Sequence, residues 1–419
     1  MTRVSISPGE TLSLGVVEVP GSKSHTIRAL FVAAAARGQS QLSAPLDADD
    51  TVAARTALRA LGGTIVEQAG SWSVMGTNGR FTPSSVPVDV GESGLTARFT
   101  LALAALVNGR TVVTGRGRLP DRPMSGVLDA IRAQGAEVGR SYPWTVIGRG
   151  WIPGGDLEVS AQESSQMVSA VLLTAPLAQS ETRLHRRGGD GSLGYLDISL
   201  DVMRHFGAPV EVAEFGFVVA PGGYESSAYE IPPDASTAVY PLVAAAVTGE
   251  QVTVPGRFGD QPDLRILAAL EQMGCEVGLT DTAITLRGPE KLAGISTDMA
   301  DAPDASIALA VACALADGPS RIEGLGSLRL KESDRLAALA SELTRFGSRV
   351  DEGPTWLTIN PARPRPATFS SHNDHRIAMS LALLGLVEEG IGIEHPDAVN
   401  KTWPGFWNWL QSTGASVAG

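Results

Sequence analysis

The sequence predicts an α/β (α+β) protein built as two similar domains of three repeats each. Two observations carry this reading. A short polar residue opens an alanine-rich helical run at Ser24, Ser93, Ser164, Asp234, Asp304 and Asp374, at spacings of 69, 71, 70, 70 and 70 residues. Further along each unit a helix ends in glycine before a short strand pattern, at Gly62, Gly135, Gly207, Gly274, Gly347 and Gly414. A repeat of this kind sets the architecture before any motif is considered. The first three helix starts carry Ser and the last three Asp, which divides the chain into two halves.

The fifth unit shows how one repeat is made. Asp304 is placed as an N-cap, and Ala305 to Asp317 reads as a helix apolar on every side, stopped by Gly318. A short strand follows at Ser320 to Glu323. Glu332 to Phe346 is amphipathic, with Leu336, Leu339, Leu343 and Phe346 on one face and Gly347 at its end. Val350 and Trp356 to Ile359 read as paired strands around a turn at Glu352-Gly353-Pro354. The unit is a buried helix, a strand, an amphipathic helix and two strands.

The other units scan alike, but the sixth stops five residues after Gly414, short of its last strand. The alternating stretch Arg3 to Val19 is the candidate to supply it. The N-terminus then closes the C-terminal half, and the chain crosses between halves near Pro20 and near Ile231-Pro232-Pro233. The expected domains are residues 20–231, with Ser-capped helices, and residues 1–19 plus 232–419, with Asp-capped helices.

Composition narrows the function classes. The chain has 419 residues, 43% hydrophobic and 19% charged, with a net charge of -12, as in an ordinary soluble globular protein. No basic stripe suits nucleic acid. The first fifteen residues lack the charged and apolar regions of a signal peptide. The longest apolar runs, such as Ile307 to Ala316, are too short to span a bilayer. Cys275 and Cys313 sit in apolar patterns and read as buried thiols, consistent with a cytoplasmic protein. Of 33 basic residues only Lys23, Lys291, Lys331 and Lys401 are lysines. Drift with chance survivors is the plain reading; the other is that some of these sites need a compact, deprotonatable ammonium. Lys291 stays with the first, in a surface-like loop after Pro289-Glu290.

Helix N-termini carry partial positive charge and free N–H groups, so a set of them suits phosphates and carboxylates. Four constellations sit at these starts. Pro20-Gly21-Ser22-Lys23-Ser24 with Arg28 places two cations beside a Ser-capped start, without Walker-loop spacing. Ser164-Ser165-Gln166 puts three neutral hydrogen-bonders at the head of an apolar helix. Lys331-Glu332-Ser333-Asp334-Arg335 follows Asp304; on a helix Lys331 and Arg335 would share a face, with Glu332 beside them. The plain reading is a solvated charged turn; the other is a carboxylate kept ionised among cations and able to move a proton. Asn373-Asp374-His375-Arg376 and Lys401-Thr402 form the fourth. A hydrolytic triad is disfavoured because no serine occupies a strained elbow, and the histidines show no metal-ligand spacing.

Taken together, these motifs resemble the 5-enolpyruvylshikimate-3-phosphate (EPSP) synthase family of enolpyruvyl transferases, in register over nearly the whole chain. The resemblance also takes in Leu46 to Thr51, Gly94 with Arg98, Arg122-Pro123-Met124, Asp197 and Pro303-Asp304-Ala305. It implies two domains of three βαβαββ-type units, each pseudo-threefold, with the active site in the interdomain cleft. It implies transfer of the enolpyruvyl group of phosphoenolpyruvate to the 5-hydroxyl of shikimate 3-phosphate by addition and elimination, by a monomer without metal or organic cofactor. The phosphate of phosphoenolpyruvate would be held by Lys23, Arg122, Gln166 and Lys401, near Gly94, and its carboxylate by Arg335 and Arg376. Shikimate 3-phosphate would meet Ser24, Arg28, Ser164, Ser165, Gln166, Ser192, Tyr195, Asp304, Ser327 and Lys331. Asp304 would take the hydroxyl proton, and Lys23 and Glu332 would serve the methylene carbon.

Several positions depart from the family pattern: Ile27, Glu92, Leu95, Ser327 and Leu193-Gly194. None removes a catalytic group. Leu95 is bulky beside the loop that the inhibitor glyphosate contacts, and is expected to weaken inhibition. The alternatives are the sibling transferase acting on a UDP-amino sugar, for which Asp121 is the feature in favour, and a non-catalytic repeat protein.

Overall fold

The computed structural model describes residues 3–188 and 194–419. The chain divides into two compact units, Gly21–Ile231 and Met1–Pro20 with Pro232–Gly419. Each unit has its own buried apolar cluster. Among the described residues no helix is long and apolar enough to cross a membrane.

The unit Gly21–Ile231 carries helices α1 (Lys23–Ala35), α2 (Asp49–Ala60), α3 (Gly94–Ala104), α4 (Ser125–Ala133), α5 (Ser165–Thr174) and α6 (Gly194–His205). The other carries α7 (Ala235–Thr248), α8 (Ile266–Gln272), α9 (Ser306–Ala314), α10 (Arg335–Phe346), α11 (His375–Ala382) and α12 (Phe406–Ser412). The odd-numbered helices are the apolar ones, and every residue of α3 and α9 is buried. The even-numbered helices are amphipathic, as the 3.6-residue pattern requires for a helix with one wet face.

Six four-stranded sheets accompany them, all in one strand order. In the fifth repeat Ser296–Asp298 lies parallel to Ser320–Glu323, which pairs antiparallel with Leu357–Asn360, which pairs with Arg349–Glu352. The strand that the sixth repeat lacks is Arg3–Ser7, antiparallel to both Ile391–Glu394 and Ser416–Ala418. The crossing segments contribute strands too. Gly15–Val16 precedes α1 but lies parallel to Gln251–Pro255, ahead of α8. Ala228–Glu230 precedes α7 but lies parallel to Gln39–Ser43, ahead of α2. Each connection thus completes a sheet in the unit that it is about to leave.

The helix starts depart from expectation three times. Ser93, Ser164, Asp234 and Asp374 cap their helices through the side chain. At α1 the cap is Ser22, two residues before Ser24. At α9 the N-cap is Ala305 without a side-chain bond, because Asp304 is taken up by cations. Helix α10 begins at Arg335, capped by Asp334, so Lys331 and Glu332 precede it rather than riding its face.

Candidate active site

In the unit Gly21–Ile231, Arg28 is the centre. It lies on α1 and is 1% exposed. Its Nε donates to Ser199 Oγ at 2.7 Å, Nη1 to the Ser24 carbonyl at 3.0 Å, and Nη2 to Ser169 Oγ at 3.3 Å and the Tyr195 carbonyl at 3.1 Å. Its cation also lies 5.8 Å from the Phe99 ring centre. All of these partners are neutral. Burial, not offset by a carboxylate, pulls its pKa down to about 10. Among the described residues, this buried cation is satisfied by hydroxyls and carbonyls, without the countercharge that normally accompanies burial. An anion placed there would supply it. His25 beside it is pushed down to about 3, by burial first and then by Arg28, and is neutral.

A second group forms at the starts of α3 and α5. Arg98 donates to Gln166 Oε1 at 2.7 Å, to the Gly94 carbonyl at 3.1 Å and to the Pro123 carbonyl at 2.8 Å. It therefore fixes the Gln166 amide, with the carbonyl end turned inward. The Arg122 guanidinium lies over Gly94, where an added Cβ would come within 2.5 Å of it. Ser164 caps α5 at the Gln166 N–H, and Ser165 is buried. Lys23, the first residue of α1, reaches Asp50 Oδ2 at 3.3 Å. Ser192 and Leu193 lie outside the described residues. Ile27 and Leu95 belong to the apolar core, so these two departures do not present a side chain to the site.

In the other unit the centre is Arg335, also 1% exposed. Its Nε donates to Asp374 Oδ2 at 2.7 Å and its Nη2 to Oδ1 at 3.1 Å, a two-point fork. Nη1 donates to Asp304 Oδ1 at 2.8 Å, and Nη2 lies 2.9 Å from Glu332 Oε2. Burial opposes its charge, but Asp374, Glu332 and Asp304 outweigh burial and raise its pKa. Asp304 Oδ1 also meets Lys331 Nζ at 3.5 Å, and its Oδ2 meets Arg376 Nη2 at 3.4 Å. Burial pushes the Asp304 carboxyl up, yet Lys331, Arg376 and Arg335 together hold it well below the usual carboxylate range. Lys401 Nζ lies 3.4 Å from Glu332 Oε1. Asp374 is fully buried; it caps α11 and accepts from Ser333 Oγ at 3.0 Å.

The structure therefore joins Asp304, Lys331, Glu332, Arg335, Arg376 and Lys401 in one network of ion-pair contacts, Arg335 holding both Asp304 and Glu332. Ser327 sits in the short helix Gly326–Leu330 preceding it. The expected grip of Arg335 on a ligand carboxylate differs from what is seen: its fork closes on Asp374. Sequence reasoning gave no part to Ser169, Ser199 or Tyr240, whose hydroxyl bonds Arg376, and took in Asp50 and Ser333 only within longer motifs. Their one signal is a polar residue inside an otherwise apolar helix, which Ser169 and Tyr240 show plainly.

The repeated βαβαββ units, with charged clusters at their helix starts, are the architecture of a class of transferases, and the comparisons place the chain in it. The profile of the family EPSP synthase (3-phosphoshikimate 1-carboxyvinyltransferase) matches residues 7–410. The 3-phosphoshikimate 1-carboxyvinyltransferase of Methanosphaerula palustris is 38% identical over 94% of this chain and 96% of its own length. That of Nostoc punctiforme is 38% identical over 93% and 94%. Among solved structures, EPSP synthase of Acinetobacter baumannii superposes with a TM-score of 0.84 at 25% identity, covering both chains fully. The enolpyruvyl transferase NikO of Streptomyces tendae, at 19% identity and a TM-score of 0.81, shares the fold. The chain belongs to the EPSP synthase family. It is an enolpyruvyl transferase of the shikimate pathway to aromatic amino acids.

Proposed function

We propose that this enzyme moves the enolpyruvyl group of phosphoenolpyruvate to the 5-hydroxyl of shikimate 3-phosphate. Arg28, Ser24, Ser164, Ser165, Gln166, Ser192 and Tyr195 receive shikimate 3-phosphate, together with Asp304, Ser327 and Lys331. Lys23, Arg122, Gln166 and Lys401 hold the phosphate of phosphoenolpyruvate beside Gly94, and Arg376 its carboxylate, while Arg335 keeps its hold on Asp374 and Asp304. The enzyme works as a cytoplasmic monomer.

The observation that carries this reading is Asp304 ringed by Lys331, Arg335 and Arg376. So deeply ionised a carboxylate is a poor base. Substrate anions seated on Lys331 and Arg376 would offset those charges, and burial would then raise Asp304 into a useful range. Addition begins as an acid, Lys23 or Glu332, protonates the methylene carbon. The hydroxyl oxygen bonds to the cationic C2 while Asp304 takes its proton. Elimination removes a proton from the new methyl group and breaks the C2–O bond to phosphate, leaving the enol ether.

The test is phosphate release from the two substrates by wild type, Lys23→Ala and Glu332→Ala. Wild-type turnover with both variants disabled supports the assignment. Turnover with the UDP-amino sugar in place of shikimate 3-phosphate would overturn the substrate. Leu95, expected from the sequence to weaken glyphosate inhibition, has its side chain in the apolar core; an inhibition constant unchanged in Leu95→Thr would remove it as a reason.

A further inference from the structure

The turn in front of α11 is held from α10 by a side chain outside the site. His372 and Asn373 both take left-handed backbone conformations, with φ of 51° and 54°. Two successive non-glycine residues in that region form an unfavourable turn that needs outside support. Part of the support is local: His372 N–H donates to Ser370 Oγ at 3.1 Å, Asn373 N–H to Ser371 Oγ at 3.3 Å, and Asp374 N–H to the Ser371 carbonyl at 2.8 Å.

The rest comes from Glu342, which is 3% exposed. One of its oxygens accepts from Ser370 N–H at 3.3 Å, and the other lies 2.9 Å from His372 Nε2. The carboxylate thus spans the beginning and the middle of the turn. Glu342 stands seven residues after Arg335, two turns or about 10 Å along α10. Arg335 clasps Asp374 at the head of the same helix. The turn carrying Asp374 and Arg376 is tied to α10 at two points, one inside the reaction site and one outside it.

We propose that His372 is a positioning residue for the enzyme. Its bond to Glu342 sets the turn that aims Arg376 and seats Asp374, and it holds most firmly when the imidazole is protonated. An ionised pair bonds roughly twice as strongly as a neutral one, and imidazole is the side chain that changes charge near neutral pH. The charged groups around the pair are few. Arg345 of α10 lies 3.7 Å from the Glu342 carboxylate. The neighbouring strand brings Glu394 opposite Ser370, and His395 meets the turn through its carbonyl, which accepts from Ser371 Oγ. The next residues of the turn bring Asp374, already clasped by Arg335, and buried His375.

The proposal rests on Arg376 receiving the carboxylate of phosphoenolpyruvate, so the experiment includes Arg376→Ala. Steady-state rates are measured from pH 5.5 to 9 for wild type, His372→Gln, His372→Ala and Arg376→Ala. His372→Gln keeps a donor near Glu342 but cannot titrate. In wild type, KM for phosphoenolpyruvate should rise about three- to tenfold as pH is raised across that range, with kcat little changed. His372→Gln should lack that rise, and His372→Ala should show the higher KM at every pH. Arg376→Ala should raise KM further still. If both His372 variants track wild type while Arg376→Ala does not, the site reading stands and the tie is overturned. If His372→Gln only lowers the melting temperature and keeps the wild-type pH profile, the residue is merely structural and the proposal fails. An unchanged KM in Arg376→Ala overturns both readings.

Discussion

Arg28 and Arg335 are equally buried, lie near the starts of a first-type and a second-type helix, and have opposite surroundings. Arg28 is held by two serine hydroxyls and two carbonyls; Arg335 is held by Asp304, Glu332 and Asp374. Burial pulls the first down to about 10, while carboxylates lift the second despite burial. The difference separates two uses of one side chain. Arg335 is a hub whose charge is already answered within the protein. Arg28 is a cation with no carboxylate partner among the described residues, as the proposed binding of an anion there requires. Burial and residue type alone do not tell a binding arginine from an organising one; the charge of its partners does.

The largest expected effect falls on the hub. Arg335→Met would strand three carboxylates, two of them also in contact with lysine or Arg376 but Asp374 fully buried. Breaking a buried ion network by removing one side costs about 3–5 kcal/mol. Denaturant midpoints should fall accordingly, and a variant as stable as wild type would erase the contrast. Arg28→Met is expected to do the reverse. It removes an uncompensated charge and leaves hydroxyls that can bond each other, as Ser199 Oγ already does to Ser169 at 2.9 Å. Folding stability should change by less than about 1 kcal/mol, whereas losing a charged hydrogen-bond donor to an anion costs about 1.5–3 kcal/mol in binding. Titration of shikimate 3-phosphate by calorimetry should show roughly a 10- to 150-fold weaker complex.

A smaller effect should appear without substrate. Inorganic phosphate, binding only the folded state, should raise the wild-type melting temperature in proportion to its occupancy, and Arg28→Met should blunt that rise. Equal shifts in both proteins would move the phosphate site away from Arg28.

Much of this was legible in the sequence, and what was not has a physical reason. The 70-residue spacing was readable because every unit must bury one helix, and burial leaves an apolar run between a polar start and a stop. The strand from Arg3–Ser7 was readable from the short sixth repeat. The exact cap of α1 was not, since Ser22 and Ser24 offer the backbone the same hydroxyl. The Asp304 cap failed because three cations compete for its carboxylate more strongly than a backbone N–H does. The partners of Arg28 were hidden by distance along the chain: Ser169 and Ser199 are 141 and 171 residues away, on different helices. A serine in an apolar helix gives no sign of which arginine it will meet.

The smallest expected effect tests the sign of the carboxylate side of the contrast. Asp304 is held below its usual range in the folded protein, so the folded state binds its proton more weakly than the unfolded chain does. Its stabilising contribution is therefore present above the unfolded value, about 3.9, and lost as pH falls through that value toward the folded one. Asp304→Asn removes the titration but keeps the shape. The stability gap between wild type and Asp304→Asn should be constant above about pH 5 and close progressively in more acid solution. At neutral pH the gap should be modest, because burial subtracts from what Lys331, Arg335 and Arg376 contribute. A gap that widens on acidification would mean that the cations destabilise the folded state around Asp304. The cluster would then be poised for ligand in the manner of Arg28, and the distinction between hub and waiting cation would have to be redrawn.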